Sequence, residues 1–309
     1  MRTLTLILAM ALLVITTTSA YIRFTQAGLG CADWPGCYGA HAGAPTPSLD
    51  DTDPLFLPRA MHRVAAGAAG ILVIVVAVIG WEQWVRRRAQ WIAVALVLLA
   101  AALAWLGRAT PSPLPIVTLG NLLGGMAMLA LAMRLFVSPA TGDRGPRRGN
   151  VLPWVRAAVS LGVVQIVLGG MIGVRFGATV CNTLPGCAGA DGFDGVPLAI
   201  LNPLVATASL GIEQSAIAAL HLAHRAVAVV LVLVAARIAW FVPSLHGMQR
   251  MAAYVTAMLV IAQIASGAWL ALWPTVTLAL VHNMGAALLL ATLASLGMLA
   301  VSARANAAP

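Results

Sequence analysis

Apolar runs long enough to cross a lipid bilayer recur along this chain, and no other feature restricts its fold as much. A helix needs roughly 20 residues to span the hydrocarbon layer, whereas a barrel strand needs only about 10. Inside that layer only helices and closed barrels satisfy their own backbone hydrogen bonds. The runs lie at about 4–21, 62–81, 90–107, 115–137, 153–174, 217–240, 250–271 and 275–302. The expected fold is therefore all-α: a polytopic membrane protein with eight transmembrane helices. Of 309 residues, 61% are hydrophobic and 9% charged, and the mean hydropathy is +0.94. That composition excludes a water-soluble domain of this length.

The chain also repeats itself. Cys31, Pro35, Gly36 and Cys37 recur 150 residues later as Cys181, Pro185, Gly186 and Cys187. An apolar run precedes each copy. The run before the first copy, with Arg2 ahead and TTTSA behind, also has the make-up of a cleaved signal peptide. The run before the second copy must be retained, which argues that the first is retained too. The unit is four helices, and an even number gives parallel repeats related by an axis along the membrane normal. The halves expected are 1–139 and 153–309, two four-helix bundles joined by a polar cytoplasmic linker, 140–152.

All 18 basic residues are Arg, against nine acids. A nucleic-acid surface would gather them on one face, but here they lie in the loops and at the ends of the runs, so no nucleic-acid partner is expected. With the N-terminus inside, 12 of the 18 lie on the inner side and seven of the nine acids on the outer. The positive-inside rule then places both termini in the cytoplasm.

This orientation puts His62, His224 and His282 at the outer ends of even-numbered helices. His62 and His224 are 162 residues apart; Asn121 and His282 are 161 apart. Four positions are thus equivalent through the repeat, three of them histidine. Ionisable groups within a span are costly unless they have a function, and imidazole is an iron ligand. His224 and His282 on facing helices suit a haem held from both sides, as in low-spin electron-transfer haems. The plainer reading gives each histidine a hydrogen bond to a neighbouring helix. His221, one turn before His224, is expected to support that site or sit at its interface. His41 and His246 fall in loops and carry no signal. Arg63 and Arg225 directly follow histidines, where they could contact haem propionates or reach to the headgroups.

Cys31 with Cys37 and Cys181 with Cys187 each bracket a short outer loop, where an oxidising compartment favours disulfides. Four free thiols are the alternative; zinc lacks a neighbouring histidine. Trp34 suits an interfacial anchor or a cover over the haem mouth, and nothing decides between them. The Gly-rich LGGMIG and AGAAG stretches are read as close helix contacts.

The motifs RFTQAGLGCADWP, MHRVAAG, LHLAHRAVA and LVHNMGAALLLA, with the spans in two halves, resemble the haem A synthase family of cytochrome oxidase assembly over nearly the whole chain. The resemblance implies an integral protein of a bacterial inner membrane, in contact with lipid, that oxidises a methyl group of haem O to the formyl group of haem A. It implies a haem b cofactor on His224 and His282, and substrate haem O on His62. Haem O synthase and cytochrome oxidase assembly factors are the implied partners. Two positions depart from the family: Asn121 stands in place of a histidine, and Arg59 in place of a glutamate regarded as catalytic. Arg cannot serve as a general base near neutral pH, so the catalytic residue is left unassigned. Asp51 and Asp53 lie nearby without supporting spacing.

Three functions follow from these features. One is the oxidoreductase; a second is a non-catalytic haem-binding electron-transfer or assembly protein of the same fold. The third, a transporter, is opposed by ionisable groups gathered toward one membrane face rather than at the midplane.

Overall fold

A computed structural model describes residues 1–26, 55–83, 87–110, 112, 114–138, 151–175, 177–187, 198–206 and 214–305. Among these residues the long elements are all α-helices: α1 (Arg2–Gln26), α2 (Phe56–Gln83), α3 (Arg87–Gly107), α4 (Pro115–Phe136), α5 (Leu152–Val174), α6 (Gln214–Trp240), α7 (Gly247–Leu272) and α8 (Val276–Ala305). Short 3-10 turns occupy Leu198–Leu201 and Val242–Ser244. All eight helices are long and apolar enough to cross a membrane. The chain is an all-helical polytopic membrane protein.

Helices α1 to α4 pack in a closed cycle, α1 on α2, α2 on α3, α3 on α4 and α4 on α1; α5 to α8 pack in the same cycle. The two sets meet where α8 packs on α1 and α4, and α4 packs on α5. Half of the α8 span is buried against 11% of α7, so α8 is central and α7 peripheral. One core gathers Leu8, Leu12, Val73, Leu96, Met126 and Leu129 with Ala287 and Met298 of α8. A second gathers Val155, Leu231, Ile238, Val260, Leu293 and Leu296. A third, at the end of the bundle that carries the histidines, joins Leu119, Met171, Ile172, Ile200, Ile217 and Leu220. The large apolar residues left exposed, such as Val64, Ile71, Trp91, Leu98, Leu233 and Ile261, are the surface that hydrocarbon would cover.

Several sequence expectations shift. Helix α2 begins at Phe56 rather than at His62. Pro58 and Arg59 interrupt the apolar run, yet proline in a first turn gives up no helical hydrogen bond, so the helix accepts both. The threonines of α1 fit an apolar helix by returning their hydroxyls to its own carbonyls: Thr16 to Leu12 (3.0 Å), Thr17 to Leu13 (2.8 Å) and Thr18 to Val14 (2.9 Å). In LGGMIG, Gly170 serves a close contact, since a Cβ there would lie 2.6 Å from Leu119 Cδ2 on α4. The AGAAG expectation fails, because Cβ atoms at Gly67 and Gly70 would meet nothing within 4 Å. The linker 140–150 and the Cys31–Cys37 loop, with Trp34, His41, Asp51 and Asp53, lie outside the described residues.

Candidate functional site

The helix bounds place His62, Asn121 and His282 each as the seventh residue of its helix, on α2, α4 and α8. His224 is the eleventh residue of α6. Two of these positions come together directly: the rings of His224 and His282 have their centroids 6.4 Å apart and their planes 65° apart. No group of three or more His, Cys, Asp or Glu that could hold a metal ion occurs among the described residues. Two protein ligands alone suit a metal that brings its own equatorial donors, as haem does.

Three further observations fit a planar iron group at this place. A metal–imidazole nitrogen bond is about 2 Å, so two rings on opposite sides of one iron have centres roughly 6 Å apart, close to the separation seen. Next, the His224 pair is unsatisfied as it stands. Gln165 of α5 contacts His224 Nε2 at 3.1 Å, but Gln165 Oε1 and His224 Nδ1 are both buried without a partner. Buried polar atoms without partners are rare and mark sites that something else completes. Finally, each ring lies over a glycine of the neighbouring helix. A Cβ on Gly169 would stand 3.1 Å from His224 Cε1, and one on Gly267 would stand 3.0 Å from His282 Cε1.

His282 has a defined hydrogen bond. Its Nδ1 lies 3.1 Å from Ser266 Oγ, and that hydroxyl lies 3.3 Å from the Gln263 carbonyl three residues back. With the hydroxyl proton given to the carbonyl, the serine oxygen accepts from Nδ1–H and leaves the Nε2 lone pair free. His62 on α2 has a similar arrangement: Nδ1 is 3.4 Å from Thr18 Oγ1, which is 3.1 Å from the Ile15 carbonyl. His221 does not join the pair; its ring Nε2 donates to the Gly177 carbonyl at 2.8 Å. His246 precedes the first residue of α7, away from these contacts.

The arginines divide. Arg63 is exposed and Arg59 half-buried, in the second and first turns of α2. Arg225 donates to the carbonyls of Cys181 (3.2 Å), Thr183 (2.9 Å) and Pro185 (3.0 Å), and to that of Gly186. It therefore clasps the loop closed by the Cys181–Cys187 disulfide, whose Cα atoms are 5.0 Å apart. Its guanidinium faces loop carbonyls rather than the propionates or headgroups that its place beside a histidine suggests.

Two arginines were missed from the sequence. Arg175, 1% exposed, donates to the carbonyls of Asn202 (2.7 Å) and Val205 (2.9 Å). Its pKa is lowered from the ordinary guanidinium value by burial. That loop also accepts the Ile116 N–H of α4 through Pro203 (2.8 Å), satisfying a donor that a helix start leaves orphaned. Arg23 of α1 donates to Asn283 Oδ1 at 3.1 Å, beside His282, so it links the first four helices to the histidine pair of the second. The signal was present: Arg-Phe occurs at 23–24 and again at 175–176, ahead of both cysteine loops.

A profile of the COX15-CtaA family, cytochrome oxidase assembly proteins, matches residues 2–294. The chain is also 27% identical to a heme A synthase of Shewanella oneidensis over a 317-residue alignment that covers 92% of each protein. The matched residues take in α1 to α7 whole and α8 as far as Ala294, together with the histidine pair, Arg23 and Arg175. The chain belongs to the COX15-CtaA family of cytochrome oxidase assembly proteins.

Proposed function

We propose that this protein is a haem A synthase-like membrane oxidoreductase, converting the methyl substituent of haem O to the formyl of haem A for cytochrome oxidase assembly. The observation that carries the reading is the His224–His282 pair, 6.4 Å between centroids, in a chain similar along 92% of its length to a heme A synthase. His224 and His282 would hold a haem b, which supplies one-electron transfer when bound. His62, steadied by Thr18, would receive the iron of the substrate haem in the half formed by 1–139, with 153–309 forming the cofactor half. Asn121, at the position 161 residues before His282, would offer an amide in place of imidazole. A substrate haem held by one strong ligand is exchangeable, as turnover requires. Arg59, three residues before His62 and so on the same helix face, brings a positive charge suited to an anionic porphyrin and no capacity to take a proton. The enzyme would sit in a bacterial inner membrane with its histidine end outward.

Arg59 and Asn121 favour one second reading, a non-catalytic haem-binding electron-transfer or assembly protein of the same fold. Haem extraction separates the two. Membranes from cells making this chain with a source of haem O should yield haem A, identified by chromatography. Haem O alone, with haem b still bound to the purified protein, would establish the second reading. In that case Arg59→Glu with Asn121→His is the variant to test for recovered haem A.

A further inference from the structure

The histidine pair is held by more than its own helices. His224 lies on α5 through Gln165 and Gly169; His282 lies on α7 through Ser266 and Gly267. Each seat pairs a polar side chain at a ring nitrogen with a glycine under the ring, and the polar residue comes four residues before the glycine on α5 and directly before it on α7. The glycines are not interchangeable with others on the same helix. Cβ atoms at Gly162 and Gly173 of α5 would meet nothing within 4 Å, whereas at Gly169 the three nearest atoms are all of the His224 ring. At Gly267 they are all of the His282 ring.

We propose that Gln165, Gly169, Ser266 and Gly267 are positioning residues that set the plane and tautomer of the His224 and His282 imidazoles. This rests on the reading that His224 and His282 hold haem iron. A ring pressed on backbone cannot rotate freely, because the close-packed glycine surface fixes its tilt. A methyl group at 3.0–3.1 Å is tighter than ordinary contact, and the ring must swing away from the position it now holds. The Ser266 hydroxyl, accepting from His282 Nδ1–H, makes the opposite nitrogen a stronger donor to a metal, the usual effect of a hydrogen bond behind a ligating histidine. A stronger donor favours ferric over ferrous iron, so loss of the hydroxyl raises the midpoint potential. The Gln165 amide N–H donates to His224 Nε2 at 3.1 Å, which places the ring proton on Nδ1, the buried nitrogen without a partner, so that a metal at Nε2 would take the place of this amide.

The test uses the full-length protein purified in detergent with the haem it acquires in the cell, read by ferric electron paramagnetic resonance and by redox titration rather than by turnover. Gly169→Ala and Gly267→Ala should each shift the low-spin signal or convert part of it to high spin. Gly162→Ala, on the same helix with open space around it, should leave it unchanged. Ser266→Ala should raise the midpoint potential, and Ser266→Thr, which keeps the hydroxyl, should restore it. If Gly267→Ala does not accumulate, Gly169→Ala and the Ser266 pair decide. Spectra of both alanine variants identical to Gly162→Ala, with no change in potential on loss of the hydroxyl, overturn the proposal. His224→Ala and His282→Ala distinguish that failure from a deeper one. If they abolish the low-spin signal, only the positioning role is lost; if they leave it intact, the haem assignment itself falls.

Discussion

At the residue scale, the two sets of four helices differ around residues that lie 161 apart in the sequence. Gln263 lies against Gly285 on α8, and Leu103 lies against Gly124 on α4; the two glycines are 161 residues apart, as are His282 and Asn121. Three residues after Gln263 comes Ser266, the partner of His282. Three after Leu103 comes Leu106, whose Cδ2 would lie 2.7 Å from a Cβ on Gly120, next to Asn121. An apolar side chain thus stands near Asn121, whereas a hydroxyl stands at His282. Asn121→His alone should add no second low-spin haem, because a new imidazole there meets Leu106 and finds no acceptor for Nδ1–H. Asn121→His with Leu106→Ser should add one, read as haem per protein and as a second low-spin signal. A gain from the single change would show that the seat needs no hydroxyl. Arg225 makes a separate residue-level case. Hydrogen bonds to a charged group contribute about 1.5–3 kcal/mol each, less for the exposed ones here. Arg225→Gln should leave the Cys181–Cys187 loop open to proteases and reductant several-fold faster than in the parent, measured by limited proteolysis and thiol alkylation. Unchanged rates would mean the disulfide holds the loop unaided.

At the element scale, the contact between α4 and α5 is set by glycine. A Cβ at Gly170 would lie 2.6 Å from Leu119 Cδ2 and 3.1 Å from Leu122 Cδ2. Overpacking of a close contact costs about 1–3 kcal/mol, so Gly170→Val should lower the thermal midpoint in detergent, whereas Gly173→Ala, in open space, should hold or raise it by easing the entropy cost of glycine in a helix. Equal midpoints for the two would show that the leucine ends simply turn aside. The loop at 198–206 acts at the same scale. Arg175 draws it onto α5, and Pro203 caps α4, so the segment between α5 and α6 closes the end of α4.

At the scale of the whole molecule, the topology proposal places both termini in the cytoplasm, from the arginine split of 12 inner against six outer. Reporter fusions at Gly145 and at Asp191 should read cytoplasmic and external respectively. The reverse would turn the histidine end inward and, with it, the Arg225-clasped disulfide into a reducing compartment. Helix α8 organises this level. It carries His282, packs on α1, α4, α5 and α7, and receives Arg23 from the first half at Asn283.

The sequence alone determined the membrane class and the helices, because spanning length and backbone satisfaction in lipid leave few choices. Residue spacing also singled out His62, Asn121, His224 and His282 as one set, of which the structure brings His224 and His282 together. The seats of those histidines were another matter. Gln165, Ser266, Gly169 and Gly267 sit in apolar runs where a lone polar residue or glycine has many uses, and nothing local says which helix lies opposite. Its place beside a histidine suits Arg225 to propionates or headgroups, yet its partners are carbonyls about 40 residues earlier in the chain. Hydropathy and spacing report what one helix offers. Which neighbour a side chain meets depends on how helices turn and cross against one another, and that is decided only when the bundle closes.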